Sequence, residues 1–365
     1  MRCNACLSVR TVSLRLLIGL AVLGLAAGGW AAWQPAKGPL MTRWAKDVSP
    51  KTVHPEYPRP QMVRHQWQNL NGLWDYAITA KDAPQPTAWH GQILVPFPIE
   101  SALSGVMKPL TDKQRLCYRR TFRVPGSWKG QRVLLHFGAV DWEATVWVNG
   151  KQLGTHRGGY DAFSFDITDA LKPSGDQELV VAVWDPTDRG PQARGKQVLK
   201  PGGIWYTASS GIWQTVWLEP VPASHIRDLR ITPDVDQSAV TVQAQALSTG
   251  GSTELRVEIL DRGRVIQQAS VKTTPATTSH PAQVAPQLTL RVPEPKLWAP
   301  DFPHLYELRI SLLEDGKKVD EVESYFGLRK IAVAKDDKGI NRLMLNNKPI
   351  FQFGPLDQGF WPDGL

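Results

Sequence analysis

Apolar and polar positions alternate, or run in short blocks rich in valine and aromatic residues, between residues 133 and 183, and the 3.6-residue period of a helix is absent there. The blocks fall at residues 133–137, 144–148, 163–167 and 179–183. Each has the length and β-branched content of a sandwich strand buried on one face or on both. Asn149-Gly150 follows the second block. That pair tolerates the positive φ angles of a type I′ turn, so the chain should fold back into a hairpin whose second strand begins near Lys151.

The same pattern extends in both directions. Upstream, a turn at Asn71-Gly72 leads into a first strand, a short strand at 92–94 is stopped by Val95-Pro-Phe-Pro-Ile99, and residues 117–124 alternate with their basic side chains on the wet side. Prolines at that density exclude a central strand. Downstream, residues 226–231, 239–244, 254–259, 287–292 and 305–310 are strands of about five or six residues separated by turns such as Asp261-Arg-Gly263 and Asp315-Gly316. Several short alternating strands over about one hundred residues predict an immunoglobulin-like sandwich. Residues 34–64 are proline-rich and aperiodic, an extended lead-in whose Tyr57-Pro-Arg-Pro60 should lie along the first sandwich. Residues 185–203 form a long polar loop, and a loop of that length inside a domain is more often functional than decorative. Residues 342–353 should form a further hairpin turning at Asn346-Asn347.

Composition adds three points. The 365 residues suit two or three domains, and 30 glycines with 29 prolines imply many turns. Arg2, Arg10 and Arg15 precede an apolar run at 16–27 followed by small residues, the layout of a secretory signal. Export to the periplasm or the exterior is therefore expected, with residues 1–33 as signal peptide and cleavage between Ala27 and Gln34; the run is shorter than the roughly 20 residues of an uncleaved membrane anchor. Loss of those arginines takes the net charge from +8 to +5, and the remaining charges are scattered, which argues against nucleic acid as a partner. Cys3-x-x-Cys6 sits in the signal's charged region without a second pair, and Cys117 stands alone after it.

Trp142-Glu-Ala-Thr-Val-Trp-Val-Asn-Gly150, Leu153-Gly154-x-His156, Gly158-Gly-Tyr160, Phe163-x-Phe-Asp-Ile-Thr168 and Ser210-Gly-Ile-Trp-Gln-Thr-Val-Trp-Leu218 together resemble the N-terminal sugar-binding domain of glycoside hydrolase family 2. Leu297-Trp-x-Pro-Asp-x-Pro-x-Leu-Tyr306 and Ser324-Tyr-Phe-Gly-Leu-Arg-Lys-Ile331 resemble the second domain of that family, which includes β-galactosidases, β-glucuronidases and β-mannosidases. The resemblance implies an all-β chain: a jelly-roll β-sandwich at 65–221, an immunoglobulin-like β-sandwich at 222–331, and the start of a truncated (β/α)8 catalytic barrel at 332–365, with Pro349 to Phe353 feeding its first strand.

The chemistry follows from that layout. A retaining glycosidase needs two carboxyl groups about 5 to 5.5 Å apart. The family's acid/base and nucleophile belong to later barrel strands, so neither is expected here, and no cofactor or metal is implied. In relatives the residues just before Ser210-Gly211-Ile212 reach toward the substrate. Here that place is held by Trp205 beside Tyr206, and the resemblance makes these two, with Asp357 and Gln358 in the loop after the first barrel strand, the candidate substrate-binding residues. Trp205 serves equally well as a domain-interface residue, and Asp357 and Asp363 as turn residues beside glycine. His156 is expected to be a buried hydrogen-bonding residue of the sandwich. The partner is then a carbohydrate, an oligosaccharide or β-glycoside, with a separately encoded catalytic barrel as a second. The alternatives are a stand-alone non-catalytic carbohydrate-binding β-sandwich protein and an adhesion sandwich without sugar affinity.

Overall fold

The computed structural model describes residues 33–249, 252–273 and 282–365. Residues 1–32 of the expected signal peptide, Cys3 and Cys6 among them, lie outside these. The first sandwich sets a six-stranded sheet against a four-stranded one. The larger runs Gly91–Val95, Gly72–Ala80, Gln114–Phe122, Gln177–Trp184, Glu143–Val148, Lys151–Arg157, and the smaller Gln68–Asn69, Val216–Val221, Arg132–Phe137, Phe163–Asp166. Neighbouring strands are antiparallel. Alternation decides what is buried: Ala144, Val146 and Val148 point into a core shared with Leu135, Phe137 and Leu218 of the other sheet. Trp74 is wholly buried there, and its indole N–H donates to the Leu70 carbonyl at 2.9 Å, so its one polar group is paired.

The hairpin at Asn149-Gly150 forms as expected, with φ of 50° and 81°. Asn149 does more than turn the chain. Its amide donates to Ala170 O and Gln177 Oε1 and its Oδ1 accepts the Glu178 N–H, tying the hairpin to the adjacent strand.

In the second sandwich, His225–Asp234 pairs with Ala239–Ser248, which carries Ala282–Val284 and Gln287–Arg291 on its other side. The facing sheet runs Arg264–Thr273, Thr253–Asp261, Tyr306–Glu314, Lys317–Phe326. Most of these strands have nine or ten residues, longer than the five or six expected. Two of them, Arg264–Thr273 and Lys317–Phe326, were not legible as apolar alternation. The first is an edge strand that buries none of its residues. The second turns Asp320 and Ser324 inward beside Val322 and Phe326, so half of its buried positions are polar.

The lead-in clamps both sandwiches. Tyr57 and Arg59 hydrogen-bond to Glu219 of the first. Met62 then enters the second core, and Val63 exchanges two backbone hydrogen bonds with Glu323, at 2.8 and 3.1 Å.

Ile331–Lys335, Asn341–Leu345 and Lys348–Pro349 form a separate three-stranded sheet, turning at Asn346-Asn347 as expected. The expected strand at 350–353 does not form among the described residues: after Ile350 donates to Leu343 O, Phe351 and Phe353 stand 87% and 95% exposed. Without a neighbouring strand the backbone has no ladder to join. Residues 358–365 then return to the first sandwich, where the Leu103 N–H donates to Asp363 O.

Candidate functional site

The site forms where two short strands meet at one end of the jelly roll. Val140–Asp141 pairs with Gly211–Ile212, opposing Asp141 to Gly211. Gly211 has φ 95°, and a Cβ there would lie 2.0 Å from the Tyr118 hydroxyl, so only glycine fits. A Cβ on Gly159 would likewise meet Asp141 Oδ1 at 2.5 Å. The glycine lets the carboxyl approach the backbone closely, and Trp213 Nε1 fixes that backbone by donating to Gly159 O at 2.7 Å.

Asp141 lines a cavity of about 400 Å3 with Tyr160, Gln197, Tyr206, Trp213 and Gln358. Arg194, Lys196 and Phe360 also line it. The long polar loop supplies Gln197, whose Oε1 accepts the Ser209 N–H at 2.6 Å and whose Nε2 donates to the Tyr160 hydroxyl at 3.4 Å. The C-terminal segment supplies Gln358, whose Oε1 accepts from the Tyr206 hydroxyl at 3.0 Å and from Lys196 Nζ at 2.8 Å. Phe360 stacks on Tyr206 with ring centroids 4.9 Å apart. Aromatic faces beside a few convergent polar groups make a small-molecule site.

Behind Asp141, two further carboxyl groups, Asp185 and Glu100, meet at Ser210. Its hydroxyl donates to Asp185 Oδ2 at 2.7 Å and its N–H to Glu100 Oε2 at 2.9 Å. Burial, reinforced by the neighbouring Asp185, pushes the Asp141 carboxyl up to about 8, against the pull of the Gln197 hydrogen bond. Burial likewise pushes Glu100 to about 8 and raises Asp185. A protonated Asp141 can donate a hydrogen bond as well as accept one. Asp185 and Glu100 do not line the cavity, so Asp141 is the one of the three that does. Among the described residues no group of His, Cys, Asp and Glu is placed to hold a metal ion.

Of the four residues proposed from sequence, Tyr206 and Gln358 meet in this cavity, whereas Trp205 is 44% exposed and Asp357 is exposed, and neither lines it. One other expectation holds with an addition, and one needs correction. Asp363 does sit in a turn, but it is wholly buried, with Oδ2 accepting the Thr42 N–H at 2.7 Å, because the segment docks against the lead-in. His156 is half-buried and its Nε2 has no hydrogen-bond partner; the ring stacks on Phe163 at 4.0 Å instead. Sequence reading missed Asp141, Tyr160, Gln197 and Trp213 as site residues. Asp141 left a signal: an acid inside an apolar block, immediately before the Trp142–Gly150 motif.

The sugar binding domain model of glycosyl hydrolases family 2 matches residues 67–222, and a second model of the same family matches residues 224–329. A β-galactosidase of Thermoanaerobacter pseudethanolicus is 27% identical over 242 residues, covering 64% of this chain and 30% of that protein. A β-glucuronidase of Paenibacillus borealis is 25% identical over 296 residues, covering 76% of this chain and 47% of that protein. The crystal structure of a putative β-galactosidase from Bacteroides fragilis superposes with TM-score 0.59 at 25% identity, covering 78% of this chain and 43% of that one. The chain thus spans 30 to 47% of the length of these three relatives. Through its two β-sandwich domains, which carry both matches, the chain belongs to glycosyl hydrolases family 2.

Proposed function

We propose that the chain supplies the sugar-recognising sandwiches of an exported glycoside hydrolase, and that the cavity around Asp141 holds one sugar unit of a β-glycoside. The observation that carries this reading is the meeting of a buried carboxyl, Asp141, with Trp213, Tyr160, Tyr206 and Gln358 on a domain of the sugar-binding type. An aromatic face takes the apolar side of a sugar ring, and the carboxyl and amide fix its hydroxyls. β-Galactosidases and β-glucuronidases among the relatives support a β-glycoside ligand.

In this reading hydrolysis belongs to a catalytic barrel, and the chain by itself binds without turnover, since binding substrate does not by itself lower the barrier. Ile331, Val333 and Leu343 on the small sheet, with Phe351, Phe353 and Leu356 beyond it, are exposed apolar residues suited to packing against that barrel. Titration calorimetry with methyl β-galactoside, β-glucuronide and β-mannoside tests the reading. At least one should bind, and Trp213→Ala should abolish that binding. Failure of all three to bind, or binding indifferent to Trp213, would count against it.

A further inference from the structure

A second cavity, of about 610 Å3, adjoins the first, and Trp213, Gly359 and Leu365 line both. Its volume lies within the roughly 300–1,000 Å3 of small-molecule sites. The lead-in contributes Trp44 and His54, the first sandwich Phe97, and the C-terminal segment Trp361. The indoles of Trp44 and Trp361 meet with centroids 5.4 Å apart at 45°, and they remain 50% and 52% exposed, so they are not spent on the core. Arg43 stacks its guanidinium on Trp44 at 4.5 Å and steadies that ring.

The polar groups of this cavity are incompletely paired. Asp363 is wholly buried, and Oδ2 takes the Thr42 N–H while Oδ1 has no partner. Thr42 Oγ1 is also buried and without a partner. Both atoms are shut off from solvent, so the contacts open to a ligand in the cleft fall on the half-exposed indoles, whose faces suit the apolar side of a sugar ring.

We propose that this cleft binds further sugar units of a carbohydrate whose terminal unit occupies the first cavity. The inference rests on the reading of the first cavity as a sugar site. Trp213 is part of the shared wall, so a ligand that leaves the first cavity along it enters the one that Trp44 and Trp361 line. The site therefore suits an oligosaccharide rather than a lone monosaccharide.

The test compares the whole chain's affinity for a methyl β-glycoside with that for a β-linked trisaccharide ending in the same sugar. The trisaccharide should bind at least about tenfold more tightly. Trp44→Ala and Trp361→Ala should each remove most of that gain, and Trp361→Phe should keep much of it; thermal unfolding of each variant checks that the fold is intact. A trisaccharide that binds no more tightly than the methyl glycoside, or a gain that survives both alanine substitutions, overturns the second site and leaves the first standing. No binding by either ligand contradicts both.

Discussion

Arg64 forks onto the carboxylate of Asp320, donating from Nη1 at 2.5 Å and from Nη2 at 2.8 Å, with both side chains almost fully buried. Arg64 Nη2 also reaches Ile226 O, and Asp320 accepts the Ile226 N–H at 2.8 Å, so neither charge lacks partners. The pair locks the lead-in to the second sandwich, while Arg64 Nε lies 3.7 Å from Glu219 of the first. Arg64→Ala would leave Asp320 buried without its cation. We expect a loss of about 3–5 kcal/mol in denaturant unfolding. A loss below about 1 kcal/mol would show that the clamp is dispensable.

Glu219 should make stability fall in acid. Its carboxylate is fully buried, yet His136, Arg59 and Tyr57 around it outweigh burial and hold it down at about 2. A carboxyl depressed in the folded state contributes stability above its ordinary value near 4.5, and that contribution is lost as pH falls toward 2. Melting temperature should drop through that window in the parent and drop less in Glu219→Gln, which should already melt lower at pH 7. Parallel curves would exclude Glu219 as the cause.

Glu100 works in the opposite sense. With its carboxyl raised to about 8, the folded chain holds a proton that the unfolded chain releases near 4.5, so stability should decline as pH climbs from about 5 to 8. The slope from one such group is at most about 1.4 kcal/mol per pH unit. Glu100→Gln should flatten this part of the curve, and an unaltered slope would assign it to Asp141 or Asp185.

These networks explain which parts of the molecule the sequence revealed. Strands with clean alternation, such as Glu143–Val148, and the Asn149-Gly150 hairpin were legible because local pattern and turn chemistry agree there. Lys317–Phe326 was not, because Asp320 and Ser324 occupy inward positions whose partners, Arg64 and Gln61 O, lie more than 250 residues away. The site divides the same way. Tyr206 and Gln358 follow from family resemblance, while Asp141, for all its place in an apolar block, joins Trp213 in one site through the pairing of Val140–Asp141 with Gly211–Ile212.

Trp205 and Trp213 should behave differently although both are tryptophans near one loop. Trp205 is exposed and outside the cavity, whereas Trp213 lines it and donates to Gly159 O. In this chain Trp205→Ala should change sugar affinity less than twofold, about 0.4 kcal/mol or less. Combined with the barrel, it should weaken binding by roughly 1 to 3 kcal/mol if the ring then packs on sugar. Equal affinity in the barrel-containing form would mark Trp205 as a surface residue.

Phe351→Ser with Phe353→Ser should raise solubility, because both rings are almost wholly exposed and carry no strand pairing. Cutting the chain after Ile331 removes the same rings but also removes Gln358 and Asp363, which form part of the two cavities. The double serine variant should therefore keep sugar binding and the truncated chain should lose it. Equal binding by the two would show that the C-terminal segment plays no part in the site.

The central claim is that a sugar unit sits against Trp213 with Asp141 at its hydroxyls. A crystal structure of the chain soaked with whichever methyl β-glycoside binds best addresses it directly. The account requires the ring to lie over the Trp213 indole, with one hydroxyl within about 3 Å of an Asp141 oxygen, and the glycosidic bond to remain intact. Sugar bound elsewhere on the chain with this cavity empty, or a cleaved glycoside, would contradict it.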